Sequence, residues 1–247
     1  MMRGATLIEL LVGLVLAGIA TTGTLGALSH VQRVWRDADR LARMHERAQY
    51  VFATLEPELQ MAGYFGPGAH AELSTTMPAS VLSACGNDTV LPLQPAVRVL
   101  EDRWLLPCAA QGTGAMPGSD TLILRRASTR ITTADGALQL QGSVDETGLR
   151  NLSVRIFYVA RAADGDPRTA ALRVKSLTAI SGEPAFIDTE VMPGVDDLQV
   201  ELLPDAISPH SVIVRLRIRA DSADVPVGQR PPSLQLERRF TLRNGAP

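Results

Sequence analysis

An apolar run near the start of the chain constrains its fold more than any other feature. Residues Ala5 to Leu28 read ATLIELLVGLVLAGIATTGTLGAL, and Glu9 is the one charged residue among them. About 20 apolar residues are enough for a helix to cross a bilayer. A carboxylate inside such a span costs about 2–3 kcal/mol or more, so its presence indicates a function.

Three ordinary explanations of this run leave Glu9 unexplained. A secretory signal cleaved near Gly18 or Ala20 would keep its apolar core to about 7–15 residues, and this run is longer. A plain membrane anchor explains the length, but neither the carboxylate nor the Gly4 that directly precedes the run. A buried helix of a soluble protein is disfavoured because the run is apolar on all sides.

The residues around Gly4 resemble the class III signal of type IV prepilins. In that signal a short basic leader ends in glycine, and an apolar run with a glutamate follows. Here Arg3-Gly4 precedes Ala5 and the run Thr6–Val12, TLIELLV, and Ala5 stands where the family usually has phenylalanine. The resemblance implies that prepilin peptidase cleaves between Gly4 and Ala5, removing a leader of residues 1–4, and that Ala5 is then N-methylated.

The spacing between Ala5 and Glu9 has a physical reading. Cleavage would free an ammonium group on Ala5, and residues four apart share one face of a helix. A helix N-terminus also favours a nearby carboxylate. Glu9 can therefore be neutralised by its own N-terminus or by that of a neighbouring subunit. In prepilins, which the chain resembles, the second arrangement sets the register of subunits during fibre assembly.

Helical periodicity continues beyond the apolar run. Apolar residues recur at three- and four-residue spacing from Leu28 to Ala62, opposite a face on which arginines and acidic residues balance. Gly63 is a signal for the end of a helix, and Pro57 predicts a kink or a break. We therefore expect one long helix whose second half is amphipathic and docks on a domain.

The remainder of the chain predicts β-structure. Residues 65–118 are rich in Pro, Gly, Ser and Ala, which indicates loops with short elements, and apolar residues alternate beyond them. The expected strands lie near 122–124, 130–133, 137–141, 152–158, 172–174, 198–202, 212–218 and 234–242, with turns at Asp135-Gly136 and 164–167. One long helix followed by such strands predicts an α+β fold, with the helix packed on a C-terminal antiparallel β-sheet domain.

The expected organisation has four parts. They are the leader, residues 1–4; the membrane and assembly half of the helix, 5–28; its amphipathic half, 29–62; and a globular domain, 63–247. Arginines follow the span and only Arg3 precedes it, so the positive-inside rule favours a cytoplasmic C-terminus. Long domains, however, translocate largely regardless of charge. We expect a single-pass inner-membrane protein with a periplasmic C-terminal domain, in which Cys85 and Cys108 form a disulfide.

No motif for catalysis, a metal or a cofactor occurs in the chain, and we expect no enzyme activity. Cys85 and Cys108 have a spacing that fits no metal motif. Calcium is a minor alternative at Asp164 and Asp166, where a turn accounts for both residues.

The charge pattern also disfavours nucleic acid as a partner. The net charge is −2, which gives no excess of positive charge for a polyanion. Arg215, Arg217 and Arg219 line one face of a predicted strand. They are typical of the solvated face of an antiparallel sheet, since a DNA-binding stripe would be interleaved with aromatic residues.

Blocks farther along the chain resemble the PilW family of minor pilins. At the end of the predicted helix these are Glu46–Tyr50 (ERAQY) and Leu59–Gly66 (LQMAGYFG). Weaker blocks follow in the same order: Val154–Ala160, Gly194–Val200, Val212–Ala220 and Arg239–Asn244. The family often has a cysteine soon after its MAGYxG segment, where Pro67-Gly68 stands here, so its disulfide pattern does not transfer.

The resemblance implies a structural protein that helps to initiate or cap the type IV pilus. Its implied partners are other minor pilins, the major pilin, prepilin peptidase and the assembly platform of the inner membrane, and its final location is the pilus, at or near the tip. A J-type minor pseudopilin of type II secretion shares this architecture and remains an alternative. A membrane-anchored periplasmic binding domain is a third reading, from a different class of protein.

Overall fold

The structure, a computed structural model, describes residues 7–66, 72–73, 85, 87–112, 114–128, 138–145, 148–161, 169–180, 183–221 and 231–244. The chain divides into two compact units, Met1–Arg43 and Met44–Pro247. Helix α1, Leu7–Met61, begins in the first unit and ends in the second. The described strands all belong to the second unit, together with the last turns of α1.

The second unit consists of two antiparallel sheets. Its elements are β1 Glu72–Leu73, α2 Asn87–Val90, β2 Val97–Leu100, β3 Thr121–Ala127, β4 Gln139–Asp145, β5 Gly148–Arg161, β6 Ala170–Ile180, β7 Glu183–Pro193, β8 Val195–Leu203, β9 Ser211–Arg219 and β10 Ser233–Thr241. The seven-stranded sheet has the order β1-β4-β5-β3-β2, with β6 paired to β5 and β7 paired to β6. The three-stranded sheet has the order β10-β9-β8. The predicted α+β fold is confirmed.

The last turns of α1 pack against strands of both sheets. Their buried apolar residues recur at helical spacing, as the amphipathic pattern predicts: Met44, Ala48, Val51, Phe52, Leu55 and Leu59. They form one core cluster with residues such as Phe157 on β5 and Leu216 on β9. Burial of each large apolar side chain stabilises the fold by about 1.5–3 kcal/mol, so this stripe holds the helix on the sheets.

Long-range ion pairs surround this packed stretch. Glu58 is buried and accepts two hydrogen bonds from Arg126, at 3.1 and 3.2 Å, while Arg155 lies 3.4 Å away. Arg47 donates to both carboxylate oxygens of Asp221, at 2.8 and 2.7 Å. These pairs satisfy charges that packing of the helix removes from water.

Helix α1 runs through Pro57 and ends at Met61, so a break at Pro57 is not observed. Leu55 and Leu59 are fully buried on either side of the proline, and their packing holds the helix across it. Gly63 follows with a φ of 79°, and a Cβ there would lie 2.5 Å from the carbonyl oxygen of Asn244. The predicted end of the helix at this glycine is therefore confirmed.

The seven-stranded sheet is covered on both faces. Leu122 and Leu124 of β3 face the cluster that contains α1, whereas Ile123 faces a second cluster with Cys85 and Leu93. All three consecutive β3 residues are buried because each face of the strand has a cover. The sequence predicted alternation here and did not anticipate the second cover.

Three strands were missed from the sequence: β1, β2 and β7. Strand β7 reads EPAFIDTEVMP, in which apolar and polar residues do not alternate regularly, so it lacks the pattern that marks its partners. Strand β2 is short and lies within the stretch assigned to loops. The turns predicted at Asp135-Gly136 and 164–167, and the strand predicted at 130–133, lie outside the described residues.

Candidate functional site

The N-terminal part of α1 carries the residue that the sequence analysis assigned to assembly. Glu9 lies in the first turn of α1 and is exposed. Gly4 and Ala5, the predicted cleavage and methylation site, lie outside the described residues. Glu9 therefore lies in the first described turn of α1.

The helix around Glu9 exposes a large apolar surface. Leu7 is 79% exposed and Ile19 is 64% exposed. α1 has the length and composition of a membrane-spanning helix, and none of its most apolar stretch is buried. One such helix is consistent with a single membrane anchor.

Hydroxyl groups within this stretch are satisfied on the helix itself. Thr21 donates to the carbonyl of Ala17 at 2.9 Å, and Ser29 donates to that of Gly26 at 2.8 Å. Such bonds one turn back remove the need for water. They suit a hydrocarbon environment, where polar groups must find partners within the protein.

The exposed apolar stripe extends beyond the span. Val31, Val34, Trp35 and Leu41 are all exposed, and Trp35 is 70% exposed. The sequence predicts that residues 29–62 dock on a domain, but burial in the described chain begins only at Met44. The stripe from Val31 to Leu41, in the first unit, is thus exposed.

In the second unit, a disulfide joins Cys85 to Cys108, the pair predicted from the sequence. The indole N–H of Trp104 donates to the carbonyl of Cys108 at 2.7 Å. The ring of Trp104 lies 4.6 Å from that of Tyr158, measured between centroids. The bridged segment is therefore tied to β5 through one aromatic contact.

Tyr158 belongs to a polar cluster built by strands β5, β6 and β7. The strand register places Tyr158 opposite Arg173, and Lys175 opposite Asp188. Asp188 accepts hydrogen bonds from the Tyr158 hydroxyl, from Arg173 at 2.8 Å and from Lys175, whose Nζ lies 2.7 Å away. Arg173 also pairs with Glu190 at 3.1 Å. The two cations and two carboxylates balance, which is typical of a structural ion-pair cluster.

The electrostatics of this cluster do not favour reactivity. Burial alone would raise the pKa of Asp188, but hydrogen bonds from Lys175, Tyr158 and Arg173 outweigh burial and lower its pKa below the usual value. Burial, followed by the hydrogen bond to Asp188, raises the pKa of Tyr158. A tyrosine that stays protonated beside a carboxylate that stays ionised offers no base or nucleophile poised near neutral pH.

Sequence reasoning missed this cluster. Lys175 is the only lysine in the chain, but its sequence context predicts no role for it. The missing signal was β7, because Asp188 and Glu190 meet their partners only through the pairing of β6 with β7. Local periodicity does not reveal which strand supplies a counter-charge.

The arginine stripe on β9 is fully paired. Arg215 binds Glu201 and Glu237, Arg217 lies 3.3 Å from Asp197, and Arg219 lies 2.6 Å from Asp196. Carboxylates on neighbouring strands thus neutralise the stripe. This arrangement does not favour a polyanion, which would have to displace each of them.

No metal centre is apparent in the part of the chain that the structure describes. No group of three or more His, Cys, Asp or Glu residues there is placed to hold an ion. The calcium candidates Asp164 and Asp166 lie outside the described residues. Comparison of the chain with protein-family models, with curated proteins and with solved structures finds no match.

Proposed function

We propose that this chain is a minor pilin. It would be a structural subunit, similar to the PilW family, that joins other minor pilins and the major pilin to initiate or cap a type IV pilus. One observation carries the proposal: Glu9 occupies the first turn of an exposed apolar helix whose last turns pack on an antiparallel β domain. A plain anchor has no use for a carboxylate at this position.

In this proposal, Glu9 pairs with the N-terminal amine of a neighbouring subunit. Cleavage after Gly4 by prepilin peptidase frees the amine of Ala5, which is then methylated. In the membrane a carboxylate is costly, and pairing it with a neighbouring subunit's N-terminal ammonium lowers that cost. The pair forms only when two subunits meet in one register. Glu9 therefore fixes the position that a subunit takes relative to its neighbour when it enters the fibre.

The exposed stripe from Val31 to Leu41 supports assembly with other subunits. A contiguous apolar surface on a folded protein usually marks an interaction site. Helices of neighbouring pilins supply a matching apolar surface, which would remove Trp35 and its neighbours from water.

The second unit would lie in the periplasm. The Cys85–Cys108 disulfide favours an oxidising compartment, and the single N-terminal helix would hold the unit at the outer face of the inner membrane before assembly. The paired charges around Asp188 support a structural role for this unit over a catalytic one.

Complementation with Glu9 variants tests this proposal. Glu9→Ala and Glu9→Leu should insert and accumulate normally in a deletion strain, because a charge is lost from an exposed position and no packing changes. Both should fail to restore surface pili or twitching. Glu46→Ala removes an exposed carboxylate beyond the span and serves as the matched control, which should complement. Wild-type piliation with Glu9→Ala would contradict the proposal that Glu9 makes an assembly contact.

Intact-mass measurement of membrane-extracted protein tests processing separately. The mature mass should lack Met1–Gly4 and include one methyl group, in the Glu9 variants as well as in the wild type. Gly4→Leu should remain uncleaved, because a small residue must fit the peptidase site. A mass that corresponds to cleavage after Ala20 would support an ordinary secretory signal instead.

A further inference from the structure

A groove of about 900 Å³ lies between the two sheets of the second unit. Two of its walls are β2 and β8, and each of these strands pairs with a sheet neighbour on one side only. The groove is therefore a gap between the edges of two sheets. Edges present rows of backbone donors and acceptors, which proteins usually cover or use.

The strand registers show which backbone groups face this gap. Ala96 accepts from Arg125 on β3, so the alternate residues Val97 and Val99 direct their backbone groups away from β3. On β8, the backbone groups of Leu198 point away from β9 and bond to Ser119 and Asp120, which precede β3. The alternate residues Val200 and Leu202 therefore also direct their backbone groups away from β9. Within the described chain, the outward groups of Val97, Val99 and Leu202 have no protein partner.

Asp120 closes one end of the groove and shows how its edges can be bridged. One carboxylate oxygen accepts from the backbone N–H of Asp102, just after β2, at 2.9 Å. The other oxygen accepts from the N–H of Val200 on β8 at 2.8 Å. A single carboxylate thus accepts from backbone donors at both edges at this end of the groove.

The two edges run in opposite directions past Asp120. β2 ends beside it, whereas β8 continues from Val200 to Leu203 away from it. A strand between them would be antiparallel to one edge and parallel to the other. Parallel and antiparallel pairing both satisfy backbone groups, so an added strand could pair with the edges in either direction.

The side chains of the groove favour an occupant with alternating character. Val97 and Val200 belong to the main core, and Val99 and Leu202 pack against it, which gives the groove an apolar floor. An extended segment places every second side chain on such a floor and the others toward solvent.

The closed end of the groove is acidic. Glu101, Asp102 and Asp120 all line it there, next to the end of β2. A basic side chain at one end of the occupant complements these carboxylates.

We propose that this groove binds an extended segment of another protein as an added β-strand, with apolar residues at alternate positions and Lys or Arg at the end beside Glu101. Such a strand would join the seven-stranded and three-stranded sheets into one, a recognition mode in which backbone bonds supply affinity and alternate side chains supply specificity. The proposal stands on the groove and does not depend on the function proposed above.

Peptide binding to the full chain in lipid nanodiscs tests this inference. The probe is a ten-residue capped peptide in which valine alternates with threonine and one end carries arginine, with empty nanodiscs as the blank. The matched control has the same side chains but N-methyl groups at alternate residues, which removes donors to one edge. It should bind about tenfold more weakly or worse, because several backbone bonds are lost together. Equal affinity of the two peptides, or no binding above the blank, would overturn the proposal.

Hydrogen exchange locates the bound peptide. Binding should slow exchange in Val97–Leu100 and in Val195–Leu203, since backbone groups of both edges gain partners. Strand β10 is also a sheet edge and provides an internal control that should not change. Protection of β10 in place of β2 and β8 would place the peptide elsewhere and reject the groove.

A charge swap tests the proposed polarity. Glu101 is exposed, so Glu101→Arg should leave the fold intact, and it should weaken the arginine-ended peptide roughly fivefold while strengthening a glutamate-ended one. Glu46→Arg makes the same change on the exposed face of α1 and should alter neither affinity. Unchanged affinities in the Glu101 variant would refute the basic end of the occupant.

Discussion

The two ends of α1 present the same kind of apolar surface in opposite environments. Leu55 is fully buried in the second unit, whereas Leu41, less than four turns earlier on the same helix, is 45% exposed. Helical periodicity is similar on both sides of Met44. The comparison teaches that an amphipathic pattern predicts a buried face but does not say whether the chain itself or another molecule covers it.

The ion pairs of the two units also differ, because those of the first unit are local and exposed and one in the second unit is long-range and buried. In the first unit, Arg40 pairs with Asp37 and Arg43 with Asp39, local contacts at the helix surface that are worth about 0.3–0.5 kcal/mol each. In the second unit, the buried Glu58 binds an arginine on β3. Local pairs follow from sequence spacing, whereas the buried pair depends on the whole fold.

Matched leucine substitutions should give the largest contrast between the two regions. Leu55→Ala should lower the free energy of unfolding by about 4 kcal/mol, because it removes buried methyl groups and leaves a cavity. Leu41→Ala should change it by less than about 0.5 kcal/mol. Denaturant unfolding of the detergent-solubilised chain, followed by near-UV circular dichroism, measures both. A comparable loss for Leu41→Ala would mean that the stripe is buried within the protein.

A second pair of variants compares buried and exposed carboxylates. Glu58→Gln should destabilise the second unit by about 3 kcal/mol, because Arg126 and Arg155 lose their buried counter-charge. Glu46→Gln, at an exposed position of the same helix, should have an effect within about 0.5 kcal/mol. The same unfolding assay applies, and equal effects of the two changes would contradict the assigned role of Glu58.

Removal of the disulfide should affect the second unit alone. Cys85→Ser with Cys108→Ser opens a loop with a sequence separation of 23 residues and should cost about 2–3 kcal/mol. Helicity of the apolar stretch in detergent should stay unchanged. Thiol labelling of the denatured, unreduced wild type should find no free thiol. Full labelling of both cysteines would contradict the bond.

The smallest expected effect is a pH dependence from Asp188. Its pKa is lowered in the folded state, so its contribution to stability is complete above the unfolded value of about 3.9 and is lost as pH falls through the folded value. Asp188→Asn should therefore destabilise the second unit at pH 7, and the difference from wild type should shrink as the pH falls below about 4.

Unfolding curves between pH 7 and pH 3 measure this difference. Asp37→Asn, in an exposed pair of the first unit, is the control and should show no such trend. A difference between Asp188→Asn and wild type that stays constant down to pH 3 would contradict the assigned ionisation.

Much of the fold followed from local patterns in the sequence. The long helix, its end at Gly63 and the strands from β3 onwards, except β7, were predicted, because apolar periodicity and glycine stops act over a few residues. The disulfide was predicted because the chain has only two cysteines. Within the candidate site, the assembly role of Glu9 stays a prediction from the sequence, and the cluster around Asp188 was not predicted.

The sequence by itself determined an apolar helix with a carboxylate near its start and a β-rich domain behind it. Tertiary structure alone decided that the residues of α1 from Met44 to Leu59 pack on both sheets of the second unit, that β7 supplies Asp188 to Lys175, and that the edges of β2 and β8 face one groove. The physical reason is the range of the interactions. Helix and strand patterns repeat over a few residues. The partner of a buried charge, the segment that packs on an apolar face and the pairing of a strand edge all depend on segments that are distant in the chain.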